Sequence, residues 1–148
     1  DMTMMEIRAK CRRLKQRQDL KLVVVDYLQL MSSGKRVESR QQEVAEFSRA
    51  LKLLAKELEV PVVALSQLNR GPEQRTDKKP MLADLRESGS IEQDADMVVL
   101  LHRPDAFEKD DPRGGEADLI IAKHRAGPTK TVTVAHQLHL SRFTNMAH

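Results

Sequence analysis

The sequence predicts an α/β protein in which helices flank a mostly parallel sheet, with an antiparallel ribbon near the C-terminus. Three features of the chain lead to this fold class. A short apolar run that ends in a carboxylate occupies 21–26, a long amphipathic segment occupies 40–59, and a second apolar run occupies 62–65. Strand, helix and strand in this order form a βαβ unit, whose strands are parallel and whose crossover is right-handed.

The helices are predicted from their caps and their apolar spacing. Thr3 and Glu6 match a capping box, so a helix begins there. Between Arg40 and about Glu59, apolar residues recur at alternating steps of three and four, which places them on one buried face of a helix. These residues are Val44, Phe47, Leu51, Leu54 and Leu58. Pro61 ends the helical pattern.

The remaining strands are predicted after a polar stretch at 68–80, whose length is typical of loops that serve binding. Apolar runs at 97–101 and 117–122 indicate two further strands. The segments 131–135 and 138–143 complete the antiparallel ribbon, because apolar and polar residues alternate in the first of them as in a half-exposed strand.

Composition excludes several classes of protein. The chain has 148 residues, one cysteine and a net charge of +3, a length that allows one domain. Cys11 can close no internal disulfide and has no partners at zinc spacing, which excludes a disulfide scaffold and a zinc module. No apolar run approaches the roughly 20 residues that cross a bilayer, so we expect a cytoplasmic protein without a membrane partner.

The charge distribution favours an anionic partner for the C-terminal part of the chain. The segment 119–148 contains no Asp or Glu, and its basic residues are Lys123, Arg125, Lys130 and Arg142. Aromatic residues make up only 3% of the chain, so a platform that stacks bases on rings is not expected. A nucleic acid would therefore be held by its phosphates.

Polar residues at three strand ends are the candidates for chemistry, because ligands of parallel α/β sheets bind at the carboxyl ends of the strands. Asp26 can hold a metal-bound nucleotide, since Mg²⁺ takes one or two carboxylates beside phosphate oxygens and water. Gln67 can bond to a phosphate or position a water. Lys123 and Arg125 are two residues apart, so on a continuous strand both side chains point to the same face and can bind one anion. The alternative interpretations are that Asp26 only serves a turn, that Gln67 is a solvated loop amide, and that Lys123 and Arg125 are exposed cations without a ligand.

The chain lacks the loop that normally cradles the phosphates. A Walker A motif needs Gly-x-x-x-x-Gly-Lys-Ser/Thr, but Gln29 occupies the first glycine position before Gly34 and Lys35, and Arg36 replaces Ser/Thr. The sequence thus contains part of a nucleotide site, and its start at Asp1 agrees with a fragment.

Four stretches carry a resemblance to a known family: VVVDYLQLM at 23–31, ALSQLNR at 64–70, DLRESGSIEQDADMVVLLHR at 84–103 and IAKHRAGPT at 121–129. With these motifs the chain, from Thr3 to about Phe143, resembles the C-terminal, RecA-like ATPase domain of DnaB-type replicative DNA helicases. The resemblance implies that residues 1–148 form a partial domain of this kind, from the Walker B strand onward.

The resemblance also implies roles for single residues. Asp26 matches the Walker B carboxylate that holds Mg²⁺, and Gln67 matches the sensor of the γ-phosphate. Lys123 and Arg125 match a finger motif that acts in trans on the ATP of the neighbouring subunit.

A loop for single-stranded DNA follows from the same resemblance. Arg86, Glu87 and Gly89 match the loop that lines the central channel, where Gly89 allows close approach and Glu87 partners Arg86 or organises the loop. The Walker A strand, the glutamate that serves as general base and the primase-binding region have no counterpart in the sequence, and Tyr27 beside Asp26 cannot replace that base.

The function implied is that of a bacterial, cytoplasmic homo-hexamer that couples ATP hydrolysis to 5′–3′ movement on single-stranded DNA and to duplex unwinding. Its partners would be a primase and a helicase loader, and the piece by itself should not turn over ATP. Two alternatives stay open: another RecA-like DNA-dependent ATPase of recombination or repair, and a non-enzymatic module that binds nucleic acid.

Overall fold

The computed structural model describes residues 2–26, 40–85 and 89–147 and divides the chain into two units. Unit 1 contains Asp1–Gln67 and Leu85–Ala95, and unit 2 contains Leu68–Asp84 and Asp96–His148. Among the described residues, unit 1 carries the long helices and a parallel strand pair, whereas unit 2 carries an antiparallel sheet.

Helix α1 (Met4–Gln18) begins with the predicted capping box. The hydroxyl of Thr3 accepts a hydrogen bond from the Glu6 backbone at 3.3 Å, and the Glu6 carboxylate accepts one from the Thr3 backbone at 2.8 Å. These bonds satisfy two amides that the first turn leaves without helical partners. The helix ends at Asp19, whose φ of 50° is left-handed.

Helix α2 (Arg40–Leu58) confirms the predicted amphipathic helix. Every residue of the predicted stripe is buried, and Ser48 is buried beside it. The chain leaves the helix at Glu59, whose φ is 53°, and Pro61 follows two residues later. The helix thus ends where the sequence predicts, within one residue.

Strands β1 (Val23–Val25) and β2 (Val62–Ala64) are parallel neighbours, which confirms the βαβ unit. The register pairs Val23 with Val62 and Val25 with Ala64. The strand pair, α1 and α2 share one apolar core, in which each fully buried aliphatic or aromatic side chain contributes about 1.5–3 kcal/mol. The core residues are Ile7, Cys11, Val25, Phe47, Leu51, Leu54, Leu58 and Val60.

A short helix, α3 (Gly89–Asp94), is held to α2 by polar contacts inside unit 1. The Ser48 hydroxyl donates to the Asp94 carboxylate at 2.8 Å, and the Arg49 guanidinium lies 3.8 Å from the other oxygen of the same carboxylate. The buried position of Ser48 in the middle of an apolar stripe is explained by this bond.

Unit 2 is built on four antiparallel strands in the order β3-β4-β5-β6. Their bounds are Met97–His102, Glu116–His124, Lys130–Gln137 and Arg142–Asn145. The predicted antiparallel ribbon near the C-terminus is therefore present. Its last strand begins later than predicted, because 138–140 form a 3-10 turn and Ser141 adopts a left-handed φ of 48°.

A buried carboxylate ties β4 to β5 and to the preceding loop. Asp118, of which 3% is exposed, accepts two bonds from the Arg113 guanidinium at 2.6 and 3.0 Å and one from the Thr133 hydroxyl at 2.8 Å. The hydrogen bonds from Arg113 are the main reason that the pKa of Asp118 lies below its usual value. Asp118 is consequently ionised and fully partnered at neutral pH.

Among the described residues, no helix is both long and apolar enough to span a bilayer.

We predict that Asp118→Asn lowers the free energy of unfolding by about 1.5–3 kcal/mol at neutral pH, because Arg113 loses a charged partner. Since the folded pKa of Asp118 is lowered, its contribution is complete above the unfolded pKa of about 3.9 and disappears as pH falls through the folded pKa. Urea denaturation between about pH 7 and pH 3 measures both effects.

Glu116→Gln is the matched control, because Glu116 binds the same guanidinium and is more exposed. If the difference in the free energy of unfolding between Asp118→Asn and wild type stays constant as the pH falls to about 3, the stabilising role of the Asp118 carboxylate is contradicted.

Candidate functional site

Asp26 and Gln67 lie at one edge of the parallel strand pair in unit 1. Asp26 directly follows β1, and Gln67 comes three residues after the end of β2. The strands are still side by side at this edge, because the Leu65 backbone N–H donates to the Val25 carbonyl at 2.9 Å. Both side chains are exposed. The sequence predicted this shared edge, and the roles of the two residues stay predictions.

The surroundings of Asp26 fit a magnesium ligand. A short, paired strand fixes its backbone, while its exposed carboxylate offers oxygen atoms, which are the donors that Mg²⁺ prefers. Within the described ranges, no cluster of three His, Cys, Asp or Glu residues can enclose a metal. A cation here would therefore need oxygen ligands from a phosphate and from water.

Lys123 and Arg125 lie at the end of β4 in unit 2. Lys123 is opposite Val98 in the β3–β4 ladder, and Arg125 follows the last residue of the strand. The Arg125 backbone N–H donates to the Asp96 carbonyl at 2.8 Å, and its guanidinium donates to the Asp96 carboxylate at 3.1 Å. More than half of the Arg125 side chain, 56%, is exposed.

The rule that places polar residues at the carboxyl edge of parallel strands does not apply to Lys123 and Arg125. The sequence predicts that the strand at 117–122 ends at the same edge of a parallel sheet as β1 and β2, but β4 pairs antiparallel with both β3 and β5. The pair belongs to a hairpin end in unit 2, and Asp26 and Gln67 belong to unit 1.

Asp96 is a partner of Arg125 in the candidate site that the sequence does not predict. Met97 is opposite His124 in the ladder, so the residue before Met97 lies beside the residue after His124. In the sequence, Asp96 stands directly before one strand and Arg125 directly after another. Their contact can be predicted only when the antiparallel register of the two strands is known.

The turn after Arg125 depends on Gly127. A Cβ atom at Gly127 would lie 2.5–3.2 Å from three atoms of the His124 ring, which is closer than van der Waals contact. The His124 Nδ1 lies 3.4 Å from the Pro128 carbonyl oxygen. The ring therefore packs against Gly127, and a larger residue there would require the ring to shift.

The residues predicted to contact DNA are described only in part. Arg86 and Glu87 lie outside the described residues. Gly89 is the first residue of α3 and is exposed, and a Cβ atom there would meet no described residue within 4 Å. Packing among the described residues does not require a glycine here, which is compatible with close approach of another molecule.

A cavity of about 270 Å³ lies in unit 2 away from these residues. Apolar side chains form most of its wall, among them Leu68, Pro72, Leu101, Leu119 and Phe143. The buried imidazole of His102 also lines it, and burial lowers the pKa of that imidazole. The lining contains none of the predicted site residues, so the cavity is not the predicted site.

Solved structures that match this chain include helicase ATPase domains, and the RecA-like ATPase domain is the class of protein that the fold defines. One of them, a structure of an ATPase domain, matches with a TM-score of 0.93 and 43% identity over 99% of this chain and 52% of that one. Another, of a DnaB-like replicative helicase and its interactions with primase, matches with the same score and identity, over 99% of this chain and 36% of that one.

The family model described as "DnaB-like helicase C terminal domain" matches residues 1–145, and the chain belongs to this family. The replicative DNA helicase DnaB of Mycobacterium intracellulare is 86% identical over 147 residues, 99% of this chain and 26% of the relative. That of Geobacillus stearothermophilus is 57% identical over 95% of this chain and 31% of the relative. The chain thus spans about a quarter to a third of these relatives.

We predict that Gly127→Ala lowers the free energy of unfolding by about 1–3 kcal/mol, because the new methyl group displaces the His124 ring from the turn. Gly89→Ala is the matched control. Its methyl group meets open space, so its effect should be neutral or stabilising by about 0.4–1 kcal/mol. Urea denaturation of both variants measures the difference, and equal effects would contradict the packing argument.

Proposed function

We propose that the chain is part of a hexameric replicative DNA helicase that couples ATP hydrolysis to 5′–3′ movement on single-stranded DNA and to duplex unwinding. The observation that carries this proposal is the placement of an exposed carboxylate and an exposed amide at one edge of a parallel strand pair, in a chain of the DnaB-like family. In α/β proteins this edge is where nucleotides bind.

In this proposal Asp26 holds Mg²⁺, directly or through water, beside the phosphates of ATP. Gln67 bonds to the γ-phosphate from the neighbouring strand. An amide suits this position because it can donate to phosphate oxygen without competing for the cation. A bound Mg²⁺ would neutralise charge that develops on the phosphates during transfer.

Lys123 and Arg125 would act on the ATP of the neighbouring subunit. The support is the exposure of the Arg125 guanidinium at the end of a hairpin that its backbone contact with Asp96 holds in place. A guanidinium offers paired donors that match phosphate oxygens. Arginine fingers of this kind contribute about 10³–10⁵ in rate.

Single-stranded DNA would be held through its phosphates at 86–89. Arg86 would supply the positive charge, Gly89 would allow the backbone to approach, and Glu87 would partner Arg86 or organise the loop, since a carboxylate repels phosphate. The lack of any described residue within 4 Å of a Cβ atom at Gly89 supports this arrangement. The scarcity of aromatic residues also favours a phosphate grip over base stacking.

A primase and a helicase loader are the proposed protein partners of the full-length helicase. The support for the primase is the similar DnaB-like helicase whose interactions with primase have been solved. Strand displacement on a forked substrate separates this proposal from an ATPase of recombination or repair, which would hydrolyse ATP without unwinding.

We predict that Arg125→Ala in the full-length helicase lowers DNA-stimulated ATP hydrolysis by about 10³-fold or more and leaves nucleotide affinity nearly unchanged, because a finger acts mainly in the transition state. Steady-state hydrolysis and binding of a fluorescent ATP analogue measure the two quantities. Arg142→Ala is the control, since Arg142 is an exposed arginine of the same unit that bonds to Gln137. Unchanged hydrolysis in Arg125→Ala would refute the finger assignment.

We predict that Arg86→Ala weakens single-strand binding and reduces the salt slope of log K by about 0.7, the value for one phosphate contact on a single strand. Fluorescence anisotropy of a labelled oligothymidine at several salt concentrations gives the slope. Arg142→Ala should leave it unchanged. The same slope in wild type and Arg86→Ala would count against the DNA assignment.

A further inference from the structure

The short helix α3 of unit 1 begins at Gly89, which is one of the residues proposed to contact DNA. With six residues, α3 is too short to be a stable helix by itself, because the first turn of a helix is costly to form. Its place in unit 1 therefore depends on contacts with neighbouring elements. Ile91 supplies an apolar contact, since it packs against the core that α1, α2 and the parallel strands share.

Ser48 of α2 contacts both ends of α3. Its hydroxyl donates at 2.8 Å to the carboxylate of Asp94, the last residue of the helix. The same hydroxyl lies 3.4 Å from the carbonyl oxygen of Ser90, the residue that follows Gly89. Hydrogen bonds are directional, so these contacts fix the orientation of α3 on α2 more narrowly than the apolar contact of Ile91 does.

Two consecutive residues of α2 hold the Asp94 carboxylate. One oxygen accepts the hydrogen bond from Ser48, and the other lies 3.8 Å from the Arg49 guanidinium. The Arg49 side chain is 62% exposed, and ion pairs of exposed side chains contribute little. Ser48 is buried, so its hydrogen bond is the contact that orients α3, and Ser48 itself cannot reach DNA.

We infer that Ser48 and Asp94 are positioning residues for DNA binding, whose hydrogen bond fixes α3 on α2 and thereby the place of Gly89. This inference rests on the proposed function, which assigns Gly89 to the contact with single-stranded DNA. Ser48 acts one residue away from that contact, at the Ser90 carbonyl. Without the hydrogen bond, α3 would have to be ordered when DNA binds, and the entropy lost in that step would lower the affinity.

The test measures the Kd of the full-length helicase for a labelled oligothymidine by fluorescence anisotropy, at one fixed salt concentration. Ser48→Ala removes the donor of the hydrogen bond, and Asp94→Leu removes its acceptor. We expect each substitution to raise the Kd about three- to tenfold, the factor that corresponds to the loss of one hydrogen bond. The kcat and KM of ATP hydrolysis without DNA should stay within about twofold of wild type, because neither residue is assigned to the nucleotide.

Asp94→Asn separates the hydrogen bond from the charge. Asn and Leu both remove the negative charge that faces Arg49, but only Asn keeps an oxygen that accepts from Ser48. The Kd of Asp94→Asn should therefore stay within about twofold of wild type. Because Ser48→Ala and Asp94→Leu remove the same bond, combining them should raise the Kd no further than either does by itself. Ser48→Ala decides the question if Asp94→Leu does not fold.

Thr3→Ala is the matched control for stability, since it removes a side-chain hydrogen bond at the start of α1, also in unit 1, and leaves the contacts of α3 in place. Its Kd should equal that of wild type. A rise in Kd with Thr3→Ala as large as with Ser48→Ala would overturn the inference, because a general loss of stability would then be the cause. An equal rise with Asp94→Asn and Asp94→Leu would overturn it as well, because the charge would then be the cause.

The failure of the inference and that of the proposed function give different results. If Ser48→Ala and Asp94→Leu bind oligothymidine as tightly as wild type does, the inference is wrong and the proposed function stands. If the wild-type helicase does not bind oligothymidine, the proposed function is wrong and the inference fails with it.

Discussion

The parallel pairing of β1 with β2 is the constraint on which the arrangement of unit 1 depends. Both strands run in the same direction, so the residues that follow them meet at one edge. Helix α2 maintains the pairing, because its apolar face is buried in the core that the strands share. If Asp26 binds a cation as proposed, its carboxylate would lose little freedom, because the strand end already holds its backbone.

The charged residues of unit 2 are of two kinds: buried carboxylates that are bound by arginines, and exposed side chains such as that of Arg125. Asp118 and Asp84 are buried, and each is bound by an arginine and by at least one further donor. A buried carboxylate without such partners would be strongly destabilising. Arg125 differs from Arg75 and Arg113, because its side chain is 56% exposed and the carboxylate it bonds to, that of Asp96, is exposed as well.

The segment 69–84 is polar in composition, yet its charged side chains bond to one another. Its glycine, prolines and charges predict a long loop for binding, in which the charged side chains would contact a ligand. In the structure the Arg75 guanidinium donates to Asp84 and Lys79 inside the loop, and Gly71 is a packing requirement. Sequence spacing could not reveal this, since Arg75 and Asp84 meet only after the chain has reversed its direction.

The sequence by itself determined the elements whose causes are local: the capping box at Thr3, the buried stripe of α2, and the two short apolar runs that form β1 and β2. Tertiary structure alone decided that β4 is antiparallel, that Asp96 lies beside Arg125, and that Asp84 closes the loop through Arg75. The reason is physical: periodicity and caps depend on neighbours within a few residues, whereas strand direction, register and ion pairing depend on which distant segments share the same space.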